Sequence, residues 1–247
     1  MLIKIFLIYL AIVSINAAVK WPSAITKCKK SDSDCMEKSI VDTLEFIKNG
    51  YREWGFQRIE PFYIEKLELI ADPSKSVRLD QTYEHIYMHG MLNPVVKNFK
   101  LTDDGKNCKW EMEIHSPQTR MEADYVLSGQ LLVFPINGNG KCNVTLTGMT
   151  NVHTAKCEKY ESKGKSYLRL KDYKLNMNVE KCYFDFENII PGNEKISQEV
   201  GKTINENSLE IFKDVKGGFE QLWARLHENA ANQVFSKIPE DELFLPE

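Results

Sequence analysis

The chain has 247 residues, with 32 Lys+Arg against 35 Asp+Glu and a formal charge of −3. So even a balance leaves no electrostatic footprint for nucleic acid or for an anionic membrane surface. With 43% hydrophobic residues and neither repeats nor low-complexity runs, it suits one elongated domain with a large core.

Residues 1–18 read as a secretory signal peptide: Lys4, an apolar run over 5–13, then the small residues Ala17 and Ala18. That run is well short of the roughly 20 residues that span a bilayer, so no stable membrane insertion is expected. The expected mature, secreted chain is 19–247. It keeps 31 basic residues (32 less Lys4) against 35 acidic ones. Six cysteines in a secreted chain favour disulfides. Cys28 and Cys35 close a short polar loop and are expected to pair. A zinc site would need closely spaced ligand pairs, which are absent, so no metal is expected.

Helical spacing of Met36, Ile40, Val41, Leu44 and Ile47 predicts a short N-terminal helix stopped by Gly50. A connection over 51–61 carries Trp54 and Phe56. From 62 to about 179 the period changes to two. Trp110, Met112 and Ile114 form one apolar face, as do Tyr125, Leu127, Leu131 and Val133, and Tyr173, Leu175, Met177 and Val179. Asn137-Gly138-Asn139-Gly140 and Lys163-Gly164 are expected to be the turns between antiparallel neighbours. Cys108, Cys142, Cys157 and Cys182 allow three pairings, and a simple meander register favours Cys142 with Cys182. The sequon Asn143-Val144-Thr145 is a glycosylation candidate, because Val144 and Leu146 share one face and leave Asn143 on the other. A phase slip between Leu170 and Tyr173 predicts a β-bulge near Lys171-Asp172.

From Ile196 to Ile238 apolar residues recur at threes and fours, predicting a helical region of roughly 60 Å at 1.5 Å per residue, with Gly217-Gly218 as its expected kink. A helix that long cannot lie on a small flat sheet, so the sheet is expected to wrap around it.

Several motifs occur in an order that resembles the takeout/juvenile-hormone-binding family. They are Trp21-Pro22-Ser23 with Cys28 and Cys35, Ile59-Glu60-Pro61-Phe62, Phe134-Pro135-Ile136, Phe186-Glu187-Asn188, Ile204-Asn205-Glu206-Asn207 and Phe235-Ser236-Lys237-Ile238-Pro239. The resemblance implies an α+β fold: a long C-terminal helix wrapped by a strongly curved antiparallel β-sheet, an apolar tunnel between them, and a short N-terminal helix. It also implies a non-enzymatic carrier without cofactor, whose partner is a small lipophilic ligand such as a terpenoid or fatty acid. The hormone-binding branch has a second bridge reaching the C-terminal helix. No cysteine here follows Cys182, which points to the takeout-like branch.

On that reading the cavity is lined by Trp110, Met112, Ile114, Tyr125, Leu127, Leu131, Val133, Val144, Leu146, Tyr173, Leu175 and Met177, with Ile204, Ile211, Phe219 and Trp223 from the helix. The competing assignment for each is ordinary core filling. His85, His89, His115, His153 and His227 fit no metal or nucleophile motif and are assigned structural or solvent roles. Two other functions compete: an interaction protein with a filled core, and a secreted lipid-modifying enzyme.

Overall fold

A computed structural model describes residues 19–92, 94–105 and 108–247; the expected signal segment lies outside them. Helix α1, Ser33–Ile47, begins where the Asp32 carboxylate accepts the Cys35 N–H at 3.1 Å. Seven strands follow: β1 Phe62–Leu69, β2 Val77–His89, β3 Val95–Asp103, β4 Cys108–Leu131, β5 Phe134–Ser162, β6 Lys165–Asn178 and β7 Lys181–Phe186. Helices α2, Glu194–Glu206, α3, Ser208–Phe235, and the short α4, Glu240–Leu243, complete the chain.

All seven strands form one antiparallel sheet built on the β4–β5 hairpin. The outer side of β4 pairs first with β3 and then with β2, which in turn pairs with β1. The outer side of β5 pairs with β7 and then β6. Strands of 24 and 29 residues would reach roughly 80 and 95 Å if straight. Right-handed twist and bulges curl them instead, and the sheet stays open. Register shifts occur at Glu84/Tyr87, Lys97/Lys100 and Thr154/Lys156. Each holds one residue with left-handed φ: His85 at 51°, Asn98 at 55° and Asp172 at 53°. The bulge expected at Lys171-Asp172 is the third of these.

Three sequence expectations are corrected. Asn137 to Gly140 do not turn the chain; they pair with Ser128 to Tyr125 inside β5. The hairpin turns at Leu132-Val133, where Leu132 has φ 53°. Gly138 serves a close approach instead, since a Cβ there would lie 2.7 Å from the Ile189 carbonyl oxygen. Second, Gly217-Gly218 lie inside an uninterrupted α3, and the helical run breaks at Asn207. There the Asn207 side-chain amide donates to the Thr203 carbonyl at 2.8 Å, competing with helix continuation. Third, Cys142 and Cys182 are not bonded to each other. Cys142 sits opposite Phe186 and Cys182 opposite Leu146, four residues apart along the ladder. That offset is about 13 Å, well beyond the roughly 7 Å a disulfide can bridge. The disulfides are Cys28–Cys35 and Cys108–Cys157.

Helices α2 and α3 attach to the sheet by its edge as well as its face. Among the described residues β6 and β7 have no strand beyond them, so alternate backbone groups there lack ladder partners. Helix side chains supply them. Asn232 accepts from Leu170 N–H at 2.7 Å and donates to Leu170 C=O at 2.8 Å. Glu228 accepts from Tyr173 N–H, Glu220 from Met177 N–H, and Asn205 clasps both groups of Phe184.

The apolar residues form two clusters. One lies under α2 and most of α3; the other gathers α1, Trp54, Phe99, Trp110, Phe235 and Ile238 at the far end. Leu243 and Phe244 join the latter, and Leu245 N–H donates to Cys28 C=O at 2.8 Å.

Asn232→Ala strands a donor and an acceptor on β6, and should lower the unfolding free energy by about 2–3 kcal/mol in urea titration. Glu228→Gln keeps an acceptor for Tyr173 N–H and should change it by less than about 1 kcal/mol. Equal losses would show that edge capping is not what these side chains contribute. Thiol titration of the denatured, unreduced protein should find two free thiols, Cys142 and Cys182; none would restore the rejected bridge.

Candidate functional site

The inward face of the curled sheet and the apolar face of α2–α3 do not meet everywhere. Between them runs an internal cavity of about 240 Å³. Strand parity decides which side chains reach it. Of the sixteen lining positions expected from sequence, twelve do: Met112, Ile114, Leu127, Leu131, Val144, Leu146, Leu175, Met177, Ile204, Ile211, Phe219 and Trp223.

Four do not. Val133 is 78% exposed at the hairpin turn, the position that the misplaced turn had assigned to the inward face. Trp110 belongs to the far cluster, edge-on to Phe99 with ring centroids 4.9 Å apart. Tyr125 is buried behind the lining, its hydroxyl donating to the Glu187 carbonyl and its ring edge-on to Phe186. Tyr173 packs behind His153, with its hydroxyl 2.8 Å from His153 Nδ1.

Further residues complete the lining. Ile40 and Leu44 of α1 contribute, as do Met88, Met91, Met121 and Met149. Six of the protein's eight methionines therefore face this space. Methionine is flexible and polarizable, and it suits a lining that adjusts to its occupant. The lining contains no Asp, Glu, Lys or Arg among the described residues. Its polar members are Gln81, Tyr83, Ser116, Thr119, Asn151, His153 and His227.

Two of these are buried with an unpartnered polar atom: Asn151 Oδ1, on a residue 7% exposed, and His153 Nε2, on a residue 0% exposed. They stand two apart on β5, so they share one face at Cα positions roughly 7 Å apart. His227 of α3 meets His153 edge-on, with centroids 5.1 Å apart, and its Nδ1–H donates to the Trp223 carbonyl at 2.7 Å. Burial holds His153 well below the ordinary imidazole range, and the neighbouring His227 pushes it the same way. Burial lowers His227 too, against the upward pull of its Trp223 hydrogen bond. Burial pushes the free thiols of Cys142 and Cys182 up to about 12, leaving them protonated and unreactive at neutral pH.

The sequence signal for this polar pair was weak for a physical reason. Along β5 the inward residues Met149, Asn151, His153 and Ala155 are no more apolar than the outward Thr150, Val152 and Thr154, so hydropathy alternation vanishes there.

Because both rings are neutral when folded, the unfolded chain takes up protons first as the pH falls below about 6.5. The stability tied to these rings is complete above that value and is lost as the pH falls toward their depressed native values. The exposed His85, raised mainly by its hydrogen bond to Asp124, works in the opposite direction, so the informative quantity is a difference. Between pH 8 and pH 5 the unfolding free energy should fall less in His153→Phe than in the unsubstituted chain. Identical profiles would contradict a buried neutral imidazole.

Known proteins match this chain over nearly its whole length. The family model described as "Haemolymph juvenile hormone binding protein (JHBP)" matches residues 5–245. The "Circadian clock-controlled protein daywake" of Drosophila melanogaster is 23% identical over 251 residues, covering 98% of this chain and 96% of its own. Its counterpart in Drosophila yakuba is 22% identical, covering 94% and 92%. The crystal structure of Epiphyas postvittana Takeout 1 superposes with a TM-score of 0.79 at 19% identity, over 90% of this chain and all of that one. The likeness to Takeout 1 fixes the fold, and the family match fixes the kinship: this chain belongs to the takeout/haemolymph juvenile hormone binding protein family.

Proposed function

We propose that this protein is a secreted carrier that holds one small lipophilic ligand in the cavity between its sheet and α2–α3. The carrying observation is the internal space itself, with a lining that is apolar, rich in methionine and, among the described residues, free of charged side chains. An apolar ligand gains most where surface leaves water without stripping a charge of its hydration. The twelve expected residues that reach the cavity are the proposed contacts, joined by the methionines of β2, β4 and β5. A filled-core interaction protein fits this space poorly. Catalysis fits poorly as well, because neither cavity imidazole hydrogen-bonds a hydroxyl nucleophile of serine, a thiol or a carboxylate. Two disulfides and the apolar leader over 1–18 support export. Asn143 lies on the outward face of β5, half-buried beside β4 and β7, and is the proposed glycosylation site.

Expressed in insect cells from the full chain, the protein should be recovered from the medium beginning at residue 19 and carrying a glycan at Asn143. Native mass spectrometry should find a lipid-sized adduct. The purified protein should also bind the neutral fluorophore N-phenyl-1-naphthylamine, and Val144→Trp, which fills the cavity, should weaken that binding at least about tenfold while leaving the circular dichroism unchanged. Absence of both adduct and fluorophore binding in the unsubstituted protein would overturn the carrier reading.

A further inference from the structure

Apolar lining explains why a lipid enters the cavity, not why two of the residues that line it each keep a buried polar atom without a partner. A buried donor or acceptor without a partner costs free energy, so native proteins rarely leave one without a use. Here Asn151 Oδ1 and His153 Nε2 are such atoms, carried by two residues that share one face of β5 and line the ligand space.

The proton on His153 can be placed from its neighbours. Tyr173 Oη lies 2.8 Å from Nδ1 and has no other hydrogen bond among the described residues. If Nδ1 carried the proton, the Tyr173 O–H and the Nε2 lone pair would both lack partners. With the phenol donating to Nδ1, one group is left over, the Nε2–H. The second arrangement leaves fewer buried groups unsatisfied and uses the phenol as the stronger donor. Tyr173 is itself anchored, its backbone N–H held by Glu228 and its ring stacked on His227 at 5.9 Å. The cavity thus offers one fixed donor, His153 Nε2–H, beside one acceptor, Asn151 Oδ1.

From this geometry we infer that Asn151 and His153 form a subsite for the hydroxyl group of an uncharged lipid alcohol, the oxygen accepting from His153 Nε2–H while the O–H donates to Asn151 Oδ1. A hydroxyl satisfies both atoms at once. An ester carbonyl accepts from the imidazole and leaves Asn151 Oδ1 unmatched. A carboxylate meets no cation among the described lining residues and would face the amide oxygen, so it enters only at a desolvation cost. This inference rests on the carrier reading and gives it a ligand class.

The test is displacement of N-phenyl-1-naphthylamine at pH 8 by a series of equal carbon number: 1-dodecanol, methyl undecanoate and dodecanoate. Dodecanol is expected to bind about tenfold more tightly than the ester and more tightly still than the carboxylate. Asn151→Leu should bring dodecanol to the level of the ester while leaving the ester within about twofold, whereas His153→Phe, which removes the donor that both share, should weaken dodecanol and the ester alike. Asn151→Leu also removes an orphaned polar atom, so its ligand-free unfolding midpoint should rise rather than fall, which a purely structural amide would not allow. Equal binding of alcohol and ester, tightest binding of the carboxylate, an alcohol preference that survives Asn151→Leu, or dodecanol binding unchanged in His153→Phe would overturn the subsite and leave the carrier standing. Failure of the fluorophore and of the whole series would overturn both.

Discussion

The hydrogen bonding of helix side chains to the free edge of the sheet is the constraint on which the rest depends. A curled sheet that does not close must end somewhere, and an unprotected edge is a site for pairing with another chain. Here the open side is sealed by Asn205, Glu220, Glu228 and Asn232, which meet backbone groups of β6 and β7. On α3 the spacing of Glu220, Glu228 and Asn232, eight and then four residues, keeps those three on one helix face while successive apolar residues turn toward the cavity. Helix position, edge protection and cavity height are thereby set together. Were the helix to settle deeper, it would fill the space; were it to lift, the edge would open.

The cavity follows from that spacing. A bent sheet held at its edge cannot press its concave face flat against a cylinder, so the lining residues touch on their flanks and leave the centre empty. Leu69 illustrates how closely the surrounding parts fit: a Cβ at Gly218 would lie 2.6 Å from its Cδ2. Dense packing around the cavity and adaptable methionine on its wall make a stiff container with a soft interior.

Much of this was legible in the residues. The period-two run, the helical stripe, the disulfide over the N-terminal loop and the bulge at Asp172 each leave a local pattern. What escaped was decided by non-local contact. Asn137 to Gly140 have turn composition, but the glycine at 138 is required by the approach of Ile189, a residue of a different segment. Gly217-Gly218 look like a helix break, yet α3 continues because packing against the sheet outweighs local propensity. The Cys142–Cys182 expectation failed through register: with β5 and β6 turning at Lys163-Gly164 and one residue added at Asp172, Cys142 falls opposite Phe186 and Cys182 opposite Leu146. The bulges at His85 and Asn98 were visible in principle, since Tyr83 to Ile86 and Val96 to Phe99 show the same phase slip that marks Asp172. His153 and Asn151 escaped because a polar subsite erases the hydropathy contrast that would reveal its strand.

The bridge between Cys108 and Cys157 has a consequence larger than its local stabilisation. It joins two residues directly opposite each other, 49 apart in sequence, near the open end of the longest hairpin. In a strand the side of each residue is a question of odd or even. Sliding β5 by a single position along β4 would turn the methionine-lined wall outward and present threonine and lysine to the helix. One covalent bond at the far end forbids that slip for every pair between it and the turn. The cysteines therefore act as a parity lock: they settle which surface of the sheet is the inside.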